Sequence, residues 1–239
     1  MVTPLAEMEG RLVLTNTAIH HAAQRSGRTL ADVTLVAVSK QHPAKTIKEA
    51  TWYGMRLFGE SYVQEWQGKA EDPQLVGIDG LCWSFIGHLQ RNKVRFLIGR
   101  VACIETVDSA RLAAEISKRA ADRGSRFRQS VLLQVNTNGE ASKSGFLPEA
   151  LMATLPDLLA LPGIQIDGLM HIPAFRDDPE ETRPDHAALR VLRDRLQDRH
   201  GAALPELSMG MSSDYAVAVE EGATRVRVGT GIFGPRPGR

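Results

Sequence analysis

The sequence has few cysteines and almost no excess of charge. Its 239 residues include only two cysteines, Cys82 and Cys103, which is a poor basis for a disulfide framework, so we expect two reduced thiols. Lysine and arginine together number 29, against 28 aspartate and glutamate residues, and the net charge is +1. This balance argues against nucleic acid or an anionic membrane surface as a partner.

Other absences exclude further classes of protein. No apolar run approaches the length of a membrane span, and residues 1–10 lack the basic and apolar segments of a signal peptide, so a cytoplasmic protein is expected. The seven histidines show no metal-ligand spacing such as HExxH, and no metal site is predicted. What is present is an ordinary globular composition. Hydrophobic residues make up 43% of the chain, enough for a sizeable core.

Eight short strand-like segments alternate with helical patterns, after an amphipathic helix at residues 5–26. Strands are predicted at residues 33–39, 56–58, 82–86, 101–106, 130–136, 164–170, 206–209 and 224–228. Helices are predicted with Pro43 at the first helical position, after Ser61 to about Ala70, at 90–98, after a cap at Asp108, after Pro148 with a kink or break at Pro156, at 185–199 and at 213–221. Loops are predicted at 71–81 and 175–184. This alternation indicates an α/β protein with a parallel sheet, and eight strands favour a single (β/α)8 TIM barrel over an open sheet. One domain is expected over residues 1–239, with the barrel at about 33–236.

The first strand ends in a lysine, in the run Leu-Val-Ala-Val-Ser-Lys that closes at Lys40. A lysine at the carboxyl end of a buried strand is unusual, because burying an ammonium group costs several kcal/mol unless it is paired or neutralised. Desolvation lowers the pKa of an amine, and a neutral amine can form a Schiff base with an aldehyde. Lys40 is therefore the first candidate for the chemistry of this chain.

Small and hydroxylated residues follow strands seven and eight, where barrels commonly bind phosphate. Met211, Ser212 and Ser213 follow strand seven, and Gly229 and Thr230 follow strand eight. Free backbone N–H groups and hydroxyls at a turn or helix start attract a dianion. The alternative is that the serines only cap a helix and the glycines only make turns.

Arg227 lies two residues before the second of these loops. In the strand Arg-Val-Arg-Val, both arginines face the side opposite the valines, so Arg227 points into the barrel mouth if Val226 and Val228 pack under the helices. A guanidinium there could donate a hydrogen bond to a ring nitrogen, and it does not lose its own proton. Its alternative role is that of an ion-pair partner for a neighbouring carboxylate.

Several motifs, taken in this order, resemble those of the YggS/PROSC family of pyridoxal-phosphate homeostasis proteins. They are LVAVSK, FGESYVQE, WSFIGHLQRNK, ELSMGMSSD and RVRVGTGIFGPR, and they run from about Leu35 to Arg236. The resemblance implies a barrel similar to the amino-terminal domain of alanine racemase, the PLP fold type III. It also implies pyridoxal 5′-phosphate (PLP) as cofactor, held as an internal aldimine.

The resemblance also assigns roles by position. Lys40 would be the Schiff-base lysine, and Arg227 would face the pyridine nitrogen. The residues expected at the phosphate are Ser212, Gly229 and Thr230, with Met211 and Ser213 adjacent, while Lys143 would be a secondary PLP contact or transfer residue. Two positions depart from the family pattern, since Ser61 replaces the usual asparagine and Ser84 the usual histidine. Ser61 can donate one hydrogen bond but lacks the second polar end of an amide.

A PLP site alone does not make an enzyme, because the protein selects the reaction by placing acids and bases. The racemases that this barrel resembles take a catalytic tyrosine from a second domain of a partner subunit. This chain ends at Arg239, so no C-terminal β domain is expected, and none of its three tyrosines is at a position that suggests a second base. No catalytic residue is therefore predicted. Without the racemase dimer interface, a monomer is expected.

The favoured hypothesis is a protein of intracellular PLP homeostasis without robust amino-acid turnover, with apo-PLP enzymes as transient clients. An arginine at the pyridine nitrogen supports it, because it disfavours protonation of that nitrogen. The alternative is a low-activity PLP racemase or decarboxylase. A Schiff-base aldolase acting on a phosphosugar and a purely structural barrel are more distant alternatives.

Overall fold

Eight parallel strands close into a barrel in the computed structural model, which describes residues 4–235. Each strand pairs with the next in sequence, and β1 closes the sheet against β8. The strands are β1 Thr34–Val38, β2 Leu57–Glu60, β3 Cys82–Phe85, β4 Cys103–Val107, β5 Gln129–Gln134, β6 Ile164–Met170, β7 Glu206–Met211 and β8 Arg225–Val228. All eight predicted strands are present, and the predicted barrel is confirmed.

Helices surround the sheet and follow its strands. They are α1 Pro4–Arg25, α2 Ala44–Trp52, α3 Val63–Ala70, α4 Val94–Leu97, α5 Ala110–Ala121, α6 Pro148–Leu159, α7 Arg183–His200, α8 Tyr215–Glu220 and α9 Thr230–Phe233. Short 3-10 helices occupy Leu30–Asp32, Arg91–Lys93 and Pro179–Thr182. No helix between residues 4 and 235 is both long and apolar enough to cross a membrane.

The strands divide their side chains between two environments. Outward residues such as Phe58, Leu133 and Val226 pack with the helices in one large apolar cluster. Inside the barrel, Cys103, Leu132 and Met170 form a much smaller apolar cluster. Polar side chains such as Ser84, Glu105 and Ser208 are also buried in the interior, and their hydrogen bonds offset the cost of burial. The inside of the barrel is therefore the place where chemistry can be held.

The N-terminal helix α1 packs against α8 and α9. Arg11 Nε donates to the carbonyl of Ile232 at 2.8 Å, and the buried Thr15 hydroxyl lies 3.4 Å from the carbonyl of Gly231. The predicted extra helix thus supports the loop after strand eight from behind.

Several predicted boundaries were wrong. The helix at 90–98 is a 3-10 turn followed by the four-residue α4, and the loop at 175–184 contains the third 3-10 helix and the start of α7. Ser109 rather than Asp108 caps α5, with Ser109 Oγ accepting from Leu112 N at 3.4 Å, because the Asp108 carboxylate pairs with His88. Pro43 takes the cap position of α2 instead of the first helical position.

Of the kink or break predicted at Pro156, the break is absent, because α6 runs through this residue to Leu159. Proline has no N–H for the carbonyl four residues earlier, which belongs to Met152. His200 Nε2 on α7 lies 3.1 Å from that carbonyl and takes the place of the missing donor. A contact between two helices therefore compensates for the proline.

Candidate functional site

Lys40 lies in a tight turn directly after β1. Ser39 N donates to the carbonyl of Gly59, and His42 N donates back to the carbonyl of Ser39, each at 3.0 Å. Gln41 has φ of 65°, and no other non-glycine residue in the range 4–235 has a positive φ. A bulky residue in this region needs support from its surroundings. The strand ends two residues before Lys40, and the turn projects this lysine at the rim of the barrel.

A buried ion pair lies behind this turn. Lys69 Nζ on α3 donates to Glu60 Oε1 at 2.6 Å, to Glu65 Oε1 at 2.7 Å and to the main-chain carbonyl of Ser39 at 2.8 Å. The Ser39 hydroxyl donates to Glu60 Oε1 at 2.7 Å, and the Gln41 N–H donates to Glu65. Burial raises the pKa of the Glu60 carboxyl, and the contacts with Lys69 and Ser39 oppose that rise. These carboxylates had not been predicted as part of the site.

One cavity of about 340 Å³ brings together eight of the nine residues that the sequence predicts at the cofactor, all except Lys143. These residues are Lys40, Ser61, Met211, Ser212, Ser213, Arg227, Gly229 and Thr230. Val38, Ile86, Ile172 and Phe175 complete its lining with apolar surface. A concave, largely apolar pocket with a few converging polar groups is the usual form of a small-molecule site.

Neutral donors form the end of the cavity at β7 and β8. Gly229 N and Gly231 N both donate to Ser212 Oγ, at 3.1 and 3.4 Å. A Cβ at Gly231 would lie 2.7 Å from Val228 Cγ1, so this residue must stay small. The helices that follow have six and four residues, too few turns for a strong helix dipole. Because the N–H groups of Gly229 and Gly231 donate to Ser212 Oγ, the hydroxyls of Ser212 and Thr230 are groups at this end that can donate to an anion.

Arg227 is 4% exposed and presents its guanidinium to the same cavity. Its Nη1 donates to Ser208 Oγ at 2.6 Å, and its Nη2 to the carbonyl of His171 at 2.8 Å. Ser208 Oγ in turn donates to Glu105 Oε2 at 2.6 Å inside the barrel. Burial lowers the pKa of Arg227, and Glu105 and Asp214 act in the opposite direction. Arg227 thus reaches a carboxylate only through a hydroxyl.

Glu105 is the central carboxylate of the barrel interior and is fully buried. It accepts hydrogen bonds from Ser84 on β3 and Ser208 on β7, and Arg225 Nη1 lies 3.7 Å from its Oε1. Ser84 is therefore occupied by Glu105, and it does not line the cavity. The predicted alternation of β8 holds, since both of its arginines face inward while its valines pack under the helices.

His171 is the first residue after β6. It is fully buried, and its Nε2 lies 2.9 Å from His186 Nδ1. His186 Nε2 lies 3.1 Å from Asp214 Oδ2, while Asp214 Oδ1 accepts from Met211 N at 2.6 Å. Burial, then the neighbouring His186, Arg227 and Lys143, hold the pKa of His171 well below its ordinary value. The hydrogen-bonded series Asp214, His186 and His171 therefore connects the loop after β7 to His171, whose carbonyl accepts from Arg227.

Lys143 lies outside the main cavity. It lines a smaller adjoining cavity of about 190 Å³ together with His88, Thr106 and Gln134, and the two cavities share Ile86 and Ile172. Its Nζ is 2.6 Å from Glu140 Oε1. The structure therefore places Lys143 next to the site and not within its wall.

Ser61 does line the main cavity, at the close approach of two loops. A Cβ at Gly87 would lie only 2.0 Å from the carbonyl oxygen of Ser61, so the loop after β3 requires glycine at this point. The serine that stands in place of the family's asparagine is therefore held at the rim opposite the loops after β7 and β8.

The residues that sequence reasoning missed share one property. Each is a charged or hydroxylated side chain on an element whose apolar pattern drew attention instead, and they are Ser39, Glu60, Glu65, Lys69, Glu105, His186, Ser208 and Asp214. The available signals were the i, i+4 pair of Glu65 and Lys69 and the single carboxylate within the apolar strand Cys103–Val107.

Two sequence comparisons agree with this fold. The family described as alanine racemase, N-terminal domain, matches residues 15–237. The pyridoxal phosphate homeostasis protein of Aquifex aeolicus is 45% identical over 218 residues, which cover 91% of this chain and 93% of that protein.

Solved structures give the same picture. PipY of Synechococcus elongatus PCC7942, solved with PLP bound, is 39% identical and has a TM-score of 0.79, with coverage of 91% of this chain and 99% of PipY. An alanine racemase of Clostridium difficile 630 is 17% identical with a TM-score of 0.72, which shows a shared fold. This chain covers 56% of that racemase.

Proposed function

Because this chain belongs to the family of pyridoxal phosphate homeostasis proteins, we propose that it binds PLP in the cavity at the carboxyl ends of the strands and serves in PLP homeostasis. The observation that carries the proposal is that one cavity is lined by Lys40, Arg227 and six further residues predicted from the sequence to contact the cofactor. Two relatives of this chain support the proposal. One is a pyridoxal phosphate homeostasis protein, and the other, PipY, was solved with PLP bound.

The chemistry of the cavity fits this cofactor. PLP is a planar aromatic aldehyde with a phosphate and a ring nitrogen, and it supplies an electron sink when bound. The N–H and hydroxyl groups of Ser212, Gly229 and Thr230 would hold the phosphate, and Arg227 would face the ring nitrogen. Val38, Ile86 and Ile172 offer apolar surface for the ring. Lys40 would hold the cofactor covalently through an imine at its Nζ.

We further propose that the chain holds PLP without robust turnover of amino acids. Among residues 4–235, the cavity wall contains no carboxylate, histidine or tyrosine that could act as a second base. A permanently charged Arg227 would also leave the ring nitrogen unprotonated and weaken the electron sink. Transfer of PLP to apo-enzymes is part of the proposal, and the cytoplasmic location and monomeric state remain predictions.

Substitution of Lys40 tests the covalent attachment. In Lys40→Ala, borohydride reduction in the presence of PLP should give no lysyl adduct at the site, whereas wild type should give one adduct on the peptide that contains Lys40. Lys45→Ala, at an exposed lysine of α2, is the control and should retain the adduct. Persistence of the same adduct at wild-type yield in Lys40→Ala would refute the assignment.

Two further assays test the finer parts of the proposal. Efficient exchange of deuterium at the α-carbon of an amino acid, dependent on Lys40, would identify a racemase or decarboxylase instead of a homeostasis protein. Mixing the PLP-loaded protein with an apo-PLP enzyme should activate that enzyme faster than free PLP does. Activation no faster than with free PLP would contradict transfer and leave buffering.

A further inference from the structure

We propose that Lys69, Glu60 and Glu65 form a positioning unit that fixes the main chain on both sides of Lys40 and thereby sets how fast the Lys40 amine attaches to an aldehyde. This inference rests on the proposed role of Lys40. Attachment forms a C=N bond between Lys40 Nζ and the aldehyde carbon, and the aldehyde oxygen leaves as water with the two amine protons. The three residues take no part in this exchange of atoms.

The residue before Lys40 is held at three points, two of them by the unit and one by the main chain of β2. Ser39 N is bonded to the carbonyl of Gly59, the Ser39 carbonyl accepts from Lys69 Nζ at 2.8 Å, and the Ser39 hydroxyl donates to Glu60 at 2.7 Å. The side chains of Lys69 and Glu60 are 8% and 0% exposed. Charged hydrogen bonds shielded from water are stronger and more directional than exposed ones. Ser39 therefore has little freedom to rotate.

The unit also holds the residue after Lys40. Glu65 Oε1 accepts from Gln41 N and from Lys69 Nζ, so one oxygen joins the turn to the ion pair. A glutamine at φ of 65° is disfavoured by contact between its Cβ and the main chain. The bond from its N–H to Glu65 offsets this cost and keeps the turn in the observed conformation.

None of the three residues lines the cavity, and their hydrogen bonds reach the main chain on either side of Lys40. Lys69, in particular, points at the main chain of Ser39 and not at the site where an aldehyde would lie. A buried ion pair is weak evidence for stability, because the cost of desolvation offsets much of the attraction. Orientation of a reacting group is a stronger reason for its presence, since a displacement of about 1 Å can slow a reaction by roughly 100-fold.

Glu65→Gln separates positioning from folding. The glutamine side chain has the same shape, and the Glu65 side chain is 24% exposed, so the fold should persist. The measurement is the rate of the absorbance change that follows addition of PLP. We expect attachment to slow by about fivefold or more. Binding of pyridoxine 5′-phosphate, which has an alcohol in place of the aldehyde, should change by less than about twofold, because it does not use the lysine.

Glu115→Gln is the matched control. Glu115 is also 24% exposed and also pairs with a cation four residues along its helix, Arg119 at 2.7 Å, but it lies on α5. The rate of PLP attachment in Glu115→Gln should equal that of wild type. A wild-type rate in Glu65→Gln, with the adduct still on Lys40, would overturn the positioning proposal alone. An adduct that persists in Lys40→Ala would overturn the proposed function instead.

A second variant tests whether Glu65 acts through the turn. Glycine adopts positive φ without a Cβ penalty, so Gln41→Gly in the Glu65→Gln background should recover at least half of the lost attachment rate. Recovery is expected only if the defect is the conformation of this turn. A double variant that stays as slow as Glu65→Gln would overturn the proposal.

Discussion

The cavity has two halves, and each is supported by one buried cation. In the half formed by β1 and β2, Lys69 contacts two carboxylates directly, at 2.6 and 2.7 Å. In the half formed by β7 and β8, Arg227 donates to a hydroxyl and to a main-chain carbonyl, and it reaches Glu105 only through Ser208. Lys69 lies behind the wall of the cavity, whereas Arg227 forms part of it.

The difference indicates what each cation is for. A lysine that spends its donors on two carboxylates and a carbonyl has none left for a ligand, so its effect is on the position of the turn. An arginine whose direct partners are neutral acceptors, and which reaches Glu105 only through Ser208, keeps a positive charge at the wall of the cavity. Arg227 can therefore act on a bound ligand, while Lys69 can act only on the protein. The attachment rate of Glu65→Gln tests this contrast for Lys69. The following variants test it for Arg227.

Among variants of the half that contains Arg227, removal of the Glu105 carboxylate should have the largest effect, and this effect is on the free energy of unfolding. Glu105→Gln leaves Arg227 without its nearest buried counter-charge, while Arg225 keeps Glu206 at 3.0 Å. Loss of one member of a buried charged network is expected to lower the free energy of unfolding by about 3 kcal/mol. Urea denaturation measures this change.

The matched substitution Glu115→Gln, in an exposed pair, should alter the same free energy by less than about 0.5 kcal/mol. A loss below about 1 kcal/mol in Glu105→Gln would mean that the hydroxyl and the carbonyl alone stabilise Arg227. The contrast between a directly paired lysine and an indirectly paired arginine would then be stronger than the structure suggests.

The fold and the wall of the site could be predicted from the sequence, because both depend on local patterns. Alternating apolar segments define the strands, and parallel strands bring their carboxyl ends to one edge of a barrel, so Lys40 and Gly229 had to lie close together. Predictions about helix ends were less successful. The helix through Pro156 depends on His200 of a different helix, and no local pattern contains that contact.

The support behind the wall could not be predicted for the same reason. Lys69 lies 30 residues from Ser39, and only the packing of α3 against β1 and β2 turns its amine toward that carbonyl. Glu105 and Ser208 are 103 residues apart and meet across the barrel interior. Which face of a strand points inward follows from the closed sheet as a whole. The sequence contained the charged residues, but their partners are set by tertiary structure.

Ser212→Ala should have the next largest effect, which is a loss of affinity for a ligand that carries a phosphate. The hydroxyl of Ser212 accepts from two main-chain N–H groups and lines the cavity. A hydrogen bond to a charged group contributes about 1.5–3 kcal/mol, so affinity for pyridoxine 5′-phosphate should fall by about tenfold or more.

Ser213→Ala offers a comparison on the adjacent residue, which is exposed. Its effect on the affinity for pyridoxine 5′-phosphate should be smaller than that of Ser212→Ala, and calorimetry can measure both. Equal losses of affinity in the two variants would mean that both serines contact the anion. The position of the N–H groups of Gly229 and Gly231 would then not depend on Ser212 alone.

The smallest expected effect is on the pH dependence of stability in the half that contains Arg227. The folded-state pKa of His171 lies well below its ordinary value because of burial, then because of His186, Arg227 and Lys143. Below about pH 6.5 the unfolded chain binds a proton at this residue that the folded chain does not, so stability is present above that pH and is lost as the pH falls. Between pH 7 and 5.5 this one group should remove about 1 kcal/mol from the free energy of unfolding.

In His171→Gln that group no longer titrates, and the amide can still donate toward His186. The variant should be less stable than wild type at pH 7, because a buried contact is altered, but its loss of stability between pH 7 and 5.5 should be smaller by about 1 kcal/mol. Urea denaturation across this range gives both curves. Parallel curves would show that protons enter elsewhere. A smaller slope would show that the neutral state of His171 is imposed by its burial and by the neighbouring His186, Arg227 and Lys143.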